Sequence, residues 1–242
     1  MRTIAVIARK GGSGKTTIAT HLALAAHLRG YKTLLADTDP QRSALEVLKA
    51  RRGGGPERAD TSGPKLFALQ INAIRAGIDA MVIDTAAASE EDLSHAIVLA
   101  DLSLLVLRPT FLDMAAAVHT VDVIRRLRRP AMIVVNQAPA AREGVEAPAV
   151  KRALQALKIM RLPVAPTLIR YRSIYQSTLE TGNSAEEGTD ATAAREVAEF
   201  WSFIEHFAFS RREGSALASP VTQPSLFALD AGVASLPPLT PA

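Results

Sequence analysis

Residues 9–17 read RKGGSGKTT. This is nearly the phosphate-holding pattern G-x-x-x-x-G-K-[ST], in which glycines let backbone N–H groups converge on phosphate oxygens and the helix that follows adds its N-terminal dipole. Gly14-Lys15-Thr16 keep the end of that pattern, Arg9 stands where its first glycine would be, and Lys10 adds a second charge. The flanks suit such a loop. Residues 3–8 are a short apolar run that predicts a buried strand. Residues 16–29 predict a helix with Ile18, Leu22, Ala25 and Ala26 on one face, closed by Gly30. Between a strand and a helix, Lys15 is placed to meet β- and γ-phosphates and the Thr16 hydroxyl to hold Mg²⁺.

Working outward, apolar runs alternate with helical periodicity. Strands are expected at 32–36 before Asp37, 65–69, 80–83 before Asp84, 102–107, 131–135 before Asn136, and 165–169. Helices are expected at 43–52, 70–76, 92–100, 113–128, 148–158, 174–179 and 191–209, and the composition of 51–64 (RRGGGPERADTSGP) reads as a loop. Strands that are apolar throughout and separated by helices predict an α/β fold: a single doubly wound, mostly parallel sheet with helices on both faces. The folded unit is expected to span 1–210, as one domain built around the phosphate loop. Residues 211–242 read as a disordered Pro/Ala/Ser-rich tail, in which Ser225-Leu226-Phe227 is the one docking-motif candidate.

The bulk composition narrows the chemistry. The chain has 242 residues, 48% of them apolar, enough for one sizeable core. It has no cysteine, which argues against disulfides, cysteine-ligated zinc and iron–sulfur clusters, and so against redox chemistry of that kind. The first ten residues lead straight into the glycine loop and do not read as a secretion signal, and no stretch approaches the ~18 apolar residues of a membrane span. The net charge of +4 hides an uneven distribution: residues 121–175 hold eleven Lys/Arg against three Asp/Glu. Such a stretch reads either as solvated helix faces or as an electrostatic footprint for nucleic acid. Arg125, Arg126, Arg128 and Arg129, with Lys151, Arg152, Arg170 and Arg172, are its candidate duplex-DNA phosphate contacts, of a sequence-independent and salt-dependent kind.

Carboxylates close the predicted strands on the loop side. Asp37 and Asp39 of the DTDPQ stretch (37–41) stand two apart on an extended segment and point the same way. At the carboxyl end of a parallel strand they face the ligand crevice. Asp84 ends the apolar run Met81-Val82-Ile83, the arrangement that holds Mg²⁺ directly or through water.

The octet Lys10-Gly11-Gly12-Ser13-Gly14-Lys15-Thr16-Thr17 resembles the deviant Walker A signature, KGGxGK[ST][ST], of the ParA/MinD ATPases. The likeness runs from about residue 1 to 207 and is nearest to short partition ATPases, with no helix-turn-helix ahead of the loop. It implies that Lys10 serves in trans, reaching the nucleotide of a second chain so that two ATP molecules lie sandwiched in a homodimer. It implies nucleotide binding by Gly11, Gly12, Ser13, Gly14, Lys15, Thr16 and Thr17, with Asn136 reading adenine. Lys10, Lys15 and Asp39 would be catalytic, Asp39 by positioning the attacking water, and Thr16, Asp37 and Asp84 would hold the Mg²⁺ shell. Pro109 and Asp113 in the turn after the 102–107 strand would lie near the dimer contact. The alanines at 86–88 replace prolines usual after the Walker B aspartate. The function so implied is partition or positioning of a plasmid, chromosome or other cargo by slow, partner-stimulated ATP hydrolysis. It would run on non-specific DNA with a ParB-like centromere-binding protein or cargo adaptor, in the cytoplasm on the nucleoid. Two alternatives stay open. A MinD-like membrane ATPase would need an amphipathic anchor, whereas Val197, Trp201, Ile204 and Ala208 form a stripe better suited to core docking, so no membrane is expected. A biosynthetic ligase would use the same loop.

Overall fold

The computed structural model describes residues 1–87 and 90–209; the expected tail at 211–242 lies outside the described residues. In chain order the elements are β1 (Arg2–Ile7), α1 (Lys15–Leu28), β2 (Thr33–Asp37), α2 (Ser43–Ala50), β3 (Glu57–Asp60), α3 (Leu66–Arg75), β4 (Ala80–Asp84), α4 (Glu90–Leu99), β5 (Leu102–Leu107), α5 (Phe111–Leu127), β6 (Ala131–Val135), α6 (Pro148–Leu157), α7 (Ile174–Ser177) and α8 (Ala191–Phe209). The six strands form one sheet in the order β3-β2-β4-β1-β5-β6, and every pairing is parallel.

Side-chain alternation along β1 splits the core in two. Ile4 and Val6 join the cluster made by α1, α2 and α8, while Ala5 and Ile7 join that of α3, α4, α5 and α6. With a strand period of two and helices on each face, every position of the inner strands except Arg2 is buried, which is why they read as largely apolar runs. The stripe Val197, Trp201, Ile204 and Ala208 of α8 is buried in the first cluster, as core docking requires.

Three elements differ from the sequence expectation, each for a local reason. The 51–64 stretch contains an edge strand: β3 pairs with β2 alone, and its sequence, ERAD, is mostly exposed, so it carries no apolar signal. The strand expected at 65–69 is instead the start of α3, entered through a 3-10 turn, Gly63–Lys65, with Pro64 in its first turn; Leu66 and Ala73, seven apart, bury one helical stripe. The strand expected at 165–169 reduces to single parallel bridges, Ile133 with Val164 and Ala138 with Arg170. Pro163 and Pro166 lack the N–H that a continuous ladder would use.

The chain runs outward from β1 to β2 and β3, returns to β4, then crosses to β5 and β6 on the other side. Connections therefore diverge at the carboxyl end of β1, the position where open parallel sheets form their ligand crevice. The glycine loop sits there.

Candidate functional site

Residues 8–14 link β1 to α1, and α1 opens without a side-chain cap: its N-cap is Gly14 at φ 90°, ψ 28°. Only glycine occupies that region without strain, and a Cβ there would also lie 2.1 Å from Asn136 Nδ2. The first N–H groups of the helix are thereby left to point outward, as an anion requires.

Two amides from the end of β6 hold this loop. Asn136 Nδ2 donates to the Ser13 carbonyl at 2.8 Å, and Gln137 Nε2 donates to the Gly12 carbonyl at 3.1 Å. Asn136 is buried, and its side-chain amide has a second N–H donor and a carbonyl acceptor beyond this bond. Gln137 went unnoticed in the sequence; its one signal is adjacency to Asn136.

Lys15 is buried at the floor of the loop, with Nζ 3.5 Å from the Lys10 carbonyl oxygen. Burial lowers its pKa, while the charges of Asp84 and Asp39 pull it up. Register explains why the carboxylates meet here. On neighbouring strands Asp37 stands level with Asp84, and Asp84 with Val6 just before the loop.

The two level aspartates behave differently. Asp37 Oδ1 accepts from Asp39 N at 3.0 Å, and Oδ2 accepts from Ala44 N and Leu45 N at 3.1 and 3.3 Å. Its carboxylate therefore organises the turn that carries Asp39 and caps the start of α2, level with Asp84. Asp39 uses Oδ1 to accept from Gln41 N at 2.9 Å and keeps Oδ2. Asp84 is fully buried, and neither of its oxygens accepts a hydrogen bond. Burial pushes its carboxyl up to about 7; Thr16 and Lys15 nearby pull it down, and Asp37 and Asp39 add to the push.

An orphaned, buried carboxylate beside a threonine hydroxyl and a phosphate-type loop fits Mg²⁺. No cluster of three or more His, Cys, Asp or Glu side chains able to hold a metal occurs among the described residues. Mg²⁺ typically takes one or two carboxylates plus substrate phosphates and water. Thr16 and Asp84 would be the donors for such an ion.

Lys10 lies at the rim. Its Nζ donates to Asp113 Oδ2 at 2.9 Å within its own chain. Asp113 is 2% exposed, and also accepts from Arg108 and Thr110. Burial pushes its carboxyl up, but the bonds from Arg108, Thr110 and Lys10 win and hold it at about 2.

The basic residues do not form one surface. Arg170 makes a two-point ion pair with Glu146 at 2.8 and 2.5 Å, and Arg172 pairs with Glu196 at 2.7 Å. These two pairs pin loops together and hold Arg170 and Arg172 half-buried. Arg126 pairs with Glu90, and Arg125 donates to the Met160 carbonyl at 2.6 Å. Arg128, Arg129, Lys151 and Arg152 are exposed. Arg125 also joins Lys158, Arg161 and Ile159 around an open cavity of about 670 Å³. Lys158 and Arg161 were missed as candidates because they lie in the 3-10 turn after α6, where no periodicity groups them with α5. No helix among the described residues is long and apolar enough to cross a membrane.

The family model described as the CobQ/CobB/MinD/ParA nucleotide binding domain matches residues 4–184. A curated relative, the maintenance of carboxysome distribution protein A of Halothiobacillus neapolitanus, is 28% identical over 75% of this chain and 85% of its own. Among solved structures, apo McdA of Cyanothece superposes with a TM-score of 0.70 at 16% identity, covering 84% of this chain and 99% of that one. The cell-division ATPase MinD of Pyrococcus furiosus gives 0.64 at 20% identity, covering 86% and 99%.

Proposed function

The chain belongs to the CobQ/CobB/MinD/ParA nucleotide-binding family, and from that premise we propose that it is a Mg²⁺-dependent ATPase that positions a cargo, pairing with a second copy when ATP is bound. The observation that carries this reading is the division of labour between two lysines on one loop: Lys15 is buried at the floor and Lys10 stands at the rim. The 28%-identical relative, whose name describes carboxysome distribution, supports the positioning part.

In this reading the N–H groups at the start of α1 and the Lys15 ammonium neutralise the phosphates. Thr16 and Asp84 hold Mg²⁺, which when bound supplies charge neutralisation on the phosphoryl oxygens. Asp39 keeps one carboxylate oxygen, Oδ2, outside its turn bond and orients the attacking water with it; Asp37 fixes the turn that carries Asp39. Asn136 braces the loop and turns its remaining amide hydrogen and Oδ1 to adenine. Lys10 completes the charge stabilisation on the second copy's nucleotide. A cargo-bound adaptor stimulates hydrolysis and parts the pair.

For non-specific DNA the candidate surface is Arg125, Arg126, Arg128, Arg129, Lys151 and Arg152, enlarged by Lys158 and Arg161. The test is DNA binding across a salt series with ATP, with ADP and with Lys10→Ala. Binding that needs ATP and Lys10, with a salt slope that falls by about 2 in Arg128→Ala/Arg129→Ala, supports the reading. Equal binding in every nucleotide state defeats the switch.

A further inference from the structure

Lys10 is occupied in the free chain. Its acceptor is a built seat: Asp113 Oδ2 takes Lys10 Nζ at 2.9 Å, Arg108 Nη2 at 3.1 Å and the Thr110 hydroxyl at 2.7 Å. Oδ1 takes Arg108 Nε at 3.0 Å. The carboxylate side chain is 1% exposed and that of the lysine 32%. A buried carboxylate with one cation gone is normally costly. Here Arg108 and Thr110 remain on Asp113 after Lys10 leaves, so the seat survives the departure. The lysine, itself one-third exposed, exchanges one anion for another.

The seat also touches the nucleotide machinery. Lys15 Nζ, the group placed to meet phosphate, lies 3.5 Å from the Lys10 carbonyl oxygen. Phosphate that draws the Lys15 ammonium toward itself removes that contact from residue 10. On the other side, the turn that forms the seat projects Phe111 and Leu112 into solvent, 83% and 64% exposed, beside the rim where a second copy would approach.

We propose that Asp113 is a cis seat for Lys10 which holds the free chain unpaired, and that the lysine must move from Asp113 to the nucleotide of a second copy for the two chains to close. This rests on the reading that Lys10 acts in trans. Asp113 is a positioning residue in this scheme and touches no reacting atom. In this scheme the ammonium leaves Asp113 to reach the second nucleotide, so the seat competes with pairing and sets the chain concentration at which pairing occurs.

The experiment is sedimentation velocity of the full chain over a concentration series with Mg²⁺ and the β,γ-imido analogue of ATP, and separately with ADP. Asp113→Asn, which removes the charge and keeps the size, is expected to lower the pairing midpoint about tenfold with the analogue and to leave the ADP form unpaired. Lys10→Ala/Asp113→Asn is expected to pair no better than Lys10→Ala. Thr110→Val disturbs the same turn but keeps the ion pair, and is expected to stay within about threefold of wild type. A midpoint unchanged or raised in Asp113→Asn, while the wild type pairs with the analogue, overturns the seat and leaves the trans reading standing. A wild type that never pairs overturns both. Amine labelling of the wild-type chain read by peptide mass spectrometry decides the matter should Asp113→Asn fail to fold. Without nucleotide, Lys10 is expected to label several-fold more slowly than exposed Lys65, and equal rates overturn the seat.

Discussion

The end of β4 and the start of α5 each bury one aspartate, and the two have opposite fates. Asp84 has two oxygens with no hydrogen-bond partner, and burial drives its carboxyl up to about 7. Asp113 is also covered, at 2% exposure, but sits nearer the surface than Asp84, and donors from Arg108, Thr110 and Lys10 outweigh its burial and hold it at about 2. Low exposure alone therefore says little about a carboxylate; the depth of its burial and the donors around it together set its charge state. An unsatisfied buried charge is a cost retained in the free protein, and a bound cation removes it.

Activity separates the two most widely. Asp84→Asn is expected to lower Mg²⁺-dependent ATP turnover by about 10²–10³-fold, whereas Asp113→Asn, measured at chain concentrations that saturate pairing, stays within about tenfold. Phosphate-release assays check this, and a loss under tenfold for Asp84→Asn would remove the metal role. Stability divides them next, with reversed sign. In urea unfolding without Mg²⁺ at pH 8, Asp113→Ala is expected to cost about 2–3 kcal/mol. That is below the full penalty for a broken buried pair because Lys10 and Arg108 keep contact with water. Under the same conditions Asp84→Asn is expected to stabilise the chain by about 2 kcal/mol.

The pH dependence sharpens the contrast. The folded pKa of Asp84 is raised, so the metal-free chain gains stability from this group as pH falls from about 7 toward 4, and the advantage of Asp84→Asn fades over that window. The folded pKa of Asp113 is depressed, so its contribution is present above about 4 and is lost as pH falls toward 2. Urea titrations at pH 8, 5 and 3 on the two variants would show curves of opposite slope; parallel curves would mean that the two sites do not differ. The smallest effect belongs to Asn136, a buried polar group with a single bond to the loop. Asn136→Ala is expected to cost about 1 kcal/mol in unfolding, with a larger loss in ATP affinity than in stability if its other hydrogen serves a base.

The sequence reading was most reliable where chemistry and period agree. Gly14-Lys15-Thr16 between an apolar run and an amphipathic helix leaves little choice of loop, and Asp84 at the end of four apolar residues ends β4 level with Val6, just before that loop. It failed where neighbours set the structure. ERAD forms β3 because β2 offers an open edge, and Leu66 belongs to a helix because Pro64 starts a turn ahead of it. Charge counting could not tell Arg170, tied to Glu146, from exposed Arg128, since the partner stands 24 residues away in the chain.

Local order along the chain was thus enough for the parallel α/β architecture, the phosphate loop and its membership in a nucleotide-binding family, because those rest on residues adjacent in sequence. Which aspartate lacks donors from its own chain, which is saturated with them and where Lys10 rests depended on contacts spanning up to 103 positions. A carboxylate's charge state is fixed by the donors and water within a few ångströms of it, and only the folded chain brings those donors together.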